Sequence, residues 1–233
     1  MILCIAAMQE EYDALLELMS DPKEEIIHGV NVHKGTINHK DVLLMLSGIG
    51  KVNAACSTIT ILNHYNDIDF IINIGSAGGL ENNYHVKQLD IIVGKKVVQH
   101  DVDLSSAGYE LGQLPGGLPL YFEASVTQAM LDALDKTDLT YHYATIASGD
   151  SFVASEEKAD FIASNFEDVC AVEMEAGAIA QIAYIRKIPF VVFRSISDVV
   201  GHEEDGNQLQ FDKYILPASK NSALATKAII ETL

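Results

Sequence analysis

Short apolar runs alternate with amphipathic stretches along this chain, the pattern of an α/β domain in which buried strands are separated by helices. Ile2–Ala6 is an unbroken apolar run and reads as a strand. Glu10–Met19 follows as a helix, with Leu15, Leu16, Leu18 and Met19 near one face. Val42–Leu46 predicts a second strand, succeeded by a Gly turn and a small-residue helix over Val52–Tyr65. Further strands are expected over Phe70–Ile74, Asp90–Val98, Tyr143–Ala147 and Phe190–Phe193, and further helices over Ala176–Ile185 and Leu216–Leu233. No repeat, low-complexity tract or long linker interrupts the pattern, so residues 1–233 are expected to form a single domain.

Small and polar residues gather where the expected strands stop. The clusters are Gly48-Ile49-Gly50, Gly75–Gly79, Ser148–Phe152 and Ser195-Ile196-Ser197-Asp198, with a fifth turn at Met8–Glu11. Open α/β sheets bind ligands beyond the carboxyl ends of their strands, and small residues let a ligand reach the backbone. Any one of these segments is an ordinary tight turn. Five of them, each carrying or flanking a carboxylate or hydroxyl, point to a shared pocket.

Charge narrows the ligand. The net charge is −18, from 15 Lys+Arg against 33 Asp+Glu, which repels phosphate backbones and anionic lipid surfaces. Neither nucleic-acid nor membrane binding is expected, and no apolar run is long enough to span a bilayer. Met1–Met8 is apolar but lacks a preceding basic residue and is cut off by Gln9-Glu10-Glu11, so it reads as a first strand and not a secretion signal. Three cysteines (Cys4, Cys56 and Cys170) are far apart and form no CxxC pair, so a reduced, cytoplasmic protein is expected.

Several tempting motifs fail on spacing. Gly48-Ile49-Gly50-Lys51-Val52 resembles the end of a phosphate loop, but Met45 replaces the required glycine and Val52 the required Ser or Thr. Gly75–Gly79 does not have the dinucleotide-binding spacing. His100-Asp101-Val102-Asp103 has metal-ligand chemistry, but the other histidines are scattered, and neither a metal nor a cofactor is expected. The carboxylates say more. Glu11 sits in a first strand-to-helix turn, Asp198 follows an apolar strand, and Glu173 and Glu175 bracket Met174 beside an Ala- and Ile-rich stretch. Glu173 and Glu175 share a side if the segment is extended and diverge if it is helical.

Six segments in order carry a resemblance. They are Ala7-Met8-Gln9-Glu10-Glu11, Ser47-Gly48-Ile49-Gly50-Lys51-Val52, Gly75-Ser76-Ala77-Gly78-Gly79-Leu80, Ser148-Gly149-Asp150-Ser151-Phe152, Val172-Glu173-Met174-Glu175-Ala176 and Arg194-Ser195-Ile196-Ser197-Asp198. Across nearly its whole length the chain resembles the bacterial 5′-methylthioadenosine/S-adenosylhomocysteine nucleosidases of the nucleoside phosphorylase superfamily. Its departures are Gln9 for a usual Glu and Gly177 for a common Thr. The resemblance implies a three-layer sandwich around a central mixed, twisted sheet, and hydrolysis of the N-glycosidic bond between adenine and a 5′-thio-substituted ribose, a step of methionine salvage. It implies Asp198 as proton donor to the purine N7, held by Ser197, and Glu11 as the base for the attacking water, with Ser76 and Arg194 near that water. Glu175 would bind the ribose hydroxyls and Met174 would pack on the substrate. Phe152 would stack on adenine, whose edge the Val153 backbone reads. Gly78 would permit close approach, and Met8, Ile49 and Phe211 would line the 5′-thio pocket. It also implies a homodimer, with Tyr109, Leu114 and Pro115 reaching the partner's pocket.

Two rival functions remain. A purine nucleoside phosphorylase needs an anion cradle, and this chain has only Arg186 and Arg194. A non-catalytic nucleoside-binding protein has no need of Glu11, Glu175 and Asp198 together. Adenine release with and without phosphate separates all three.

Overall fold

A mixed sheet of eleven strands runs through the molecule in the order β2-β3-β4-β1-β5-β11-β6-β10-β9-β7-β8. The structure is a computed structural model and describes residues 1–80, 84–200 and 206–233. The strands are β1 (Ile2–Ala6), β2 (Ser20–Ile27), β3 (Val30–Ile37), β4 (Lys40–Leu46), β5 (Phe70–Asn73), β6 (Ser76–Leu80), β7 (Ile91–Gln99), β8 (Tyr121–Glu123), β9 (Tyr141–Ser148), β10 (Val169–Glu173) and β11 (Phe190–Val200). The helices are α1 (Gln9–Leu16), α2 (Lys51–His64), α3 (Gln128–Leu134), α4 (Glu156–Asn165), α5 (Ala176–Arg186) and α6 (Gly206–Ile230).

Helices cover both faces of the sheet. Ala54 and Ile61 of α2 and Ile179, Ala180 and Ala183 of α5 share a core with Leu3, Ile71 and Val192. On the other face Tyr12 and Leu15 of α1, Met130 and Leu134 of α3 and Ala223 and Ile229 of α6 pack with Cys4, Ile72 and Val191. Neighbouring residues of one strand therefore feed opposite cores, which is why β1 and β5 read as continuous apolar runs instead of alternating ones. These three layers are the expected sandwich. Strand β7 also pairs antiparallel with β11, closing β11, β6, β10, β9 and β7 into a ring. Among the described residues no helix is long and apolar enough to cross a membrane.

Two of the expected polar turns are strands. Ser76–Leu80 forms β6, parallel to β11 and antiparallel to β10, and Ser195–Asp198 lies inside β11, which runs on to Val200. Glycine suits β6 because of crowding: a Cβ at Gly79 would come 2.8 Å from Val86, and one at Gly78 3.2 Å from Val172 and 3.4 Å from Asp198 Oδ2. Pairing on both sides stabilises a sequence of low intrinsic strand preference. The outcome places the polar residues along the rim of a sheet, where their direction is fixed by register.

Candidate active site

The ends of these elements surround a cleft of about 130 Å³ lined by Met8, Glu11, Ile49, Ser76, Gly78, Phe152, Val153, Met174, Glu175, Ser197, Asp198 and Phe211, together with Ala7, Ala77, Ser151, Val172 and Glu173. Thirteen residues singled out in the sequence, Glu173 among them, thus meet around one space, although they come from positions 8 to 211 of the chain.

Glu11 is the third residue of α1 and reaches back over the start of its own helix, as a capping-box carboxylate does. Its Oε2 accepts hydrogen bonds from the Ala7 and Met8 N–H groups at 3.0 and 3.1 Å. Its Oε1 accepts from the Ser76 N–H at 2.9 Å and the Ser76 hydroxyl at 3.0 Å. Three of the four donors are backbone groups, so the carboxylate is held by the turn between β1 and α1 on one side and by β6 on the other.

Asp198 is buried on β11. The Ser197 hydroxyl donates to its Oδ1 and the Asn207 amide to its Oδ2, both at 2.8 Å. Burial raises its pKa, and those two hydrogen bonds only partly oppose the shift. A carboxyl so placed holds its proton above the usual pH.

Glu173 and Glu175 fall on opposite sides of a strand-to-helix turn: Glu173 ends β10 and Glu175 is the N-cap of α5. Neither the purely extended nor the purely helical reading of their spacing applies. Glu173 Oε2 accepts from the Glu175 and Ala176 N–H groups at 3.0 and 2.8 Å and pairs with Arg194, while its Oε1 is buried without a hydrogen-bond partner. Glu175 Oε1 accepts from the Gly50 N–H at 2.8 Å, and its Oε2 lies 3.8 Å from the Arg194 guanidinium. Burial and the neighbouring Glu173 charge push the Glu175 pKa upwards, against Arg194 and the Gly50 N–H.

Arg194 stands one layer behind the cleft and does not line it. It is 1% exposed and donates to Asn73 Oδ1 at 2.7 Å as well as to Glu173. A buried guanidinium needs such partners, since an unpaired buried charge costs several kcal/mol. Arg186 is on the surface, donating to Asn63. Among the described residues no lysine or arginine lines the cleft. Nor is any group of three or more His, Cys, Asp and Glu side chains there placed to hold a metal ion.

Part of the cleft wall is aromatic. Phe152 and Phe211 meet edge to face with centroids 6.1 Å apart, and Ile49 and Phe152 remain about half exposed at the mouth. Tyr109, Leu114 and Pro115 do not line this chain's own cleft. Tyr109 and Pro115 are exposed and Leu114 is half-buried, whereas Leu111 of the same segment turns inward against the cluster of Leu80, Val98 and Phe166.

Two contributors carried no advance signal. Asn207 follows an acidic stretch and resembles any exposed asparagine, and Asn73 lies inside an apolar strand. Their roles come from partners 9 and 121 residues away.

A model of the phosphorylase superfamily matches residues 1–231. A 5′-methylthioadenosine/S-adenosylhomocysteine nucleosidase of Geobacillus sp. (strain WCH70) is 37% identical, the match covering 100% of this chain and 98% of its own. The chain belongs to the 5′-methylthioadenosine/S-adenosylhomocysteine nucleosidase family of the phosphorylase superfamily. A Borrelia burgdorferi B31 protein assigned to this family and solved bound to adenine has 38% identity and a TM-score of 0.92, with 100% of both chains covered. The futalosine hydrolase of Helicobacter pylori strain 26695 is also similar, at 31% identity and a TM-score of 0.90, covering 100% of this chain and 97% of its own. The family fold thus carries more than one substrate, and the cleft of this nucleosidase family member has to be read from its own residues.

Proposed function

We propose that this chain hydrolyses the N-glycosidic bond of 5′-methylthioadenosine and S-adenosylhomocysteine, releasing adenine and a 5-thio-substituted ribose. The observation that carries the reading is the pairing of two buried carboxyls in different surroundings across one cleft: Asp198 with a raised pKa, and Glu11 accepting four hydrogen bonds. Two carboxyls with divergent environments are an acid and a base.

Asp198 gives its proton to N7 of adenine as the C1′–N9 bond breaks, so the electron pair leaves on a neutral base. The ribosyl ring gains oxocarbenium character, and Glu175 beside the ribose hydroxyls stabilises that charge. Water attacks C1′ and passes a proton to Glu11. Of the four donors to Glu11 only the Ser76 hydroxyl can rotate, so the water takes its place on Oε1. Met174 and Phe152 cover the sugar and base, and Met8, Ile49 and Phe211 enclose the 5′ substituent. Among the described residues phosphate has no cationic cradle, since Arg194 is committed to Glu173 and Asn73. In phosphate-free buffer, free adenine is expected from methylthioadenosine, and added phosphate should yield no ribose-1-phosphate on chromatographic analysis. Strict dependence on phosphate would overturn the hydrolase reading.

The segment around Tyr109, Leu114 and Pro115 supports a homodimer in which these residues complete the partner's 5′ pocket, because it presents apolar side chains that its own cleft does not use. Leu114→Asp should shift sedimentation towards monomer and weaken substrate affinity in parallel. A dimer with unchanged affinity would remove the segment from both roles. A reducing cytoplasmic setting suits the three free cysteines, of which Cys56 is exposed.

A further inference from the structure

Two residues from the discarded motifs have no part in this chemistry: Lys51, the first residue of α2, and Asp101, just beyond β7. The structure joins them. The Lys51 ammonium donates to Asp101 Oδ1 at 2.6 Å, Asp101 Oδ2 accepts the Asp150 N–H at 2.9 Å, and Asp150 Oδ1 accepts the backbone N–H of Lys51 at 2.7 Å. These contacts close a ring through three segments that are distant in sequence. A lysine in the first turn sits at the positive end of its helix dipole, where a cation is unfavourable, and α2 has no acidic residue there to offset it. Local rules broken in this way concentrate at functional sites.

The ring adjoins the cleft on two sides. Ser151, which follows Asp150, lines it, and the N–H of Gly50, which precedes Lys51, is the 2.8 Å donor to Glu175 Oε1. Gly50 has φ +91°, and a Cβ on it would come 3.1 Å from Asp150 Oδ1, so the closed ring requires glycine at this position. Arg194, at 3.8 Å, is beyond hydrogen-bond reach of Glu175.

We propose that the Lys51–Asp101–Asp150 ring is a positioning device that holds the Gly50 N–H on Glu175 and thereby fixes the carboxylate that receives the ribose hydroxyls. The inference rests on the reading of Glu175 as ribose ligand. Breaking the ring frees the peptide before α2, and Glu175 loses its one short donor.

The test is a double-mutant cycle on the full chain, measuring the affinity of a 7-deaza analogue of methylthioadenosine, which lacks the N7 that accepts the proton and so is not turned over. Lys51→Met is expected to weaken binding about tenfold, the size of one well-placed hydrogen bond to a charged group. The same change in a Glu175→Gln background should cost less than about twofold, while Lys51→Arg, which keeps the ion pair, should bind nearly as wild type. Equal losses in both backgrounds, or a lower melting temperature with unchanged affinity, would overturn the inference alone. Wild-type affinity in Glu175→Gln by itself would overturn the ribose reading and the inference with it.

Discussion

Asp198→Asn is expected to lower kcat by at least about 10²-fold while leaving the affinity for a substrate analogue close to wild type. The replacement amide is nearly isosteric, can still meet Ser197 and Asn207, and can donate a hydrogen bond to N7. What it cannot do is transfer a proton as the C1′–N9 bond breaks. The wild-type rate should fall as pH rises through the raised pKa of Asp198, because only the protonated carboxyl is active, and the variant should lose that limb. Near-normal turnover would reassign Asp198 to a structural role.

The same shift makes a prediction about stability. A carboxyl whose folded-state pKa exceeds its unfolded value, about 3.8 here, contributes most below that value. The contribution is lost as pH rises through the folded value, because folding then has to bury the charge. Asp198→Asn should therefore melt at the wild-type temperature near pH 3 and about a few degrees higher near pH 8. A gain that is independent of pH would trace to packing instead of ionisation. The proposed catalytic acid is in this sense kept at the expense of stability.

The sequence pattern exposed the layers better than it exposed the edges. Strands β1, β4, β5, β7 and β9 and helices α2 and α5 appear close to their expected limits because each is an apolar run between turn residues. Strands β2 and β3 have no such signature. Seven of the eight residues of Ser20–Ile27 are exposed and they include Pro22, which is how edge strands are written. β6 is hidden for the opposite reason, since Ser-Ala-Gly-Gly-Leu reads as a turn until β10 and β11 pair with it. Helix α6 begins at Gly206, ten residues before its expected start, because Pro217 sits inside it and reads as a first-turn residue. The cleft residues were legible through the family motifs, whereas Arg194 shows the limit of that route. A motif names a residue near the site, and only its partners, Glu173 and Asn73, show that it stands behind the cleft lining and not in it.

Glu11→Gln is expected to lower kcat by at least about 10²-fold, and unlike the change at Asp198 it should also destabilise the fold. The carboxylate is surrounded by donors: two backbone N–H groups on Oε2, and a third with a hydroxyl on Oε1. A glutamine must turn its NH2 towards one of these sides and set donor against donor, which costs about 1–3 kcal/mol for the groups left unsatisfied. A lower melting temperature and a lost base are therefore coupled in this variant, and a second substitution separates them. A Cβ at Gly75 would come 2.8 Å from Glu11 Oε1 and 3.1 Å from Oε2. Gly75→Ala consequently keeps the carboxylate but displaces it from the position proposed for water activation. A misplacement of about 1 Å is enough to cost about 10²-fold in rate. Single-turnover kinetics should show a slow chemical step in Gly75→Ala with binding of the 7-deaza analogue retained. If Gly75→Ala turns over at the wild-type rate, the four-donor geometry around Glu11 serves the fold alone and the base must be sought elsewhere in the cleft.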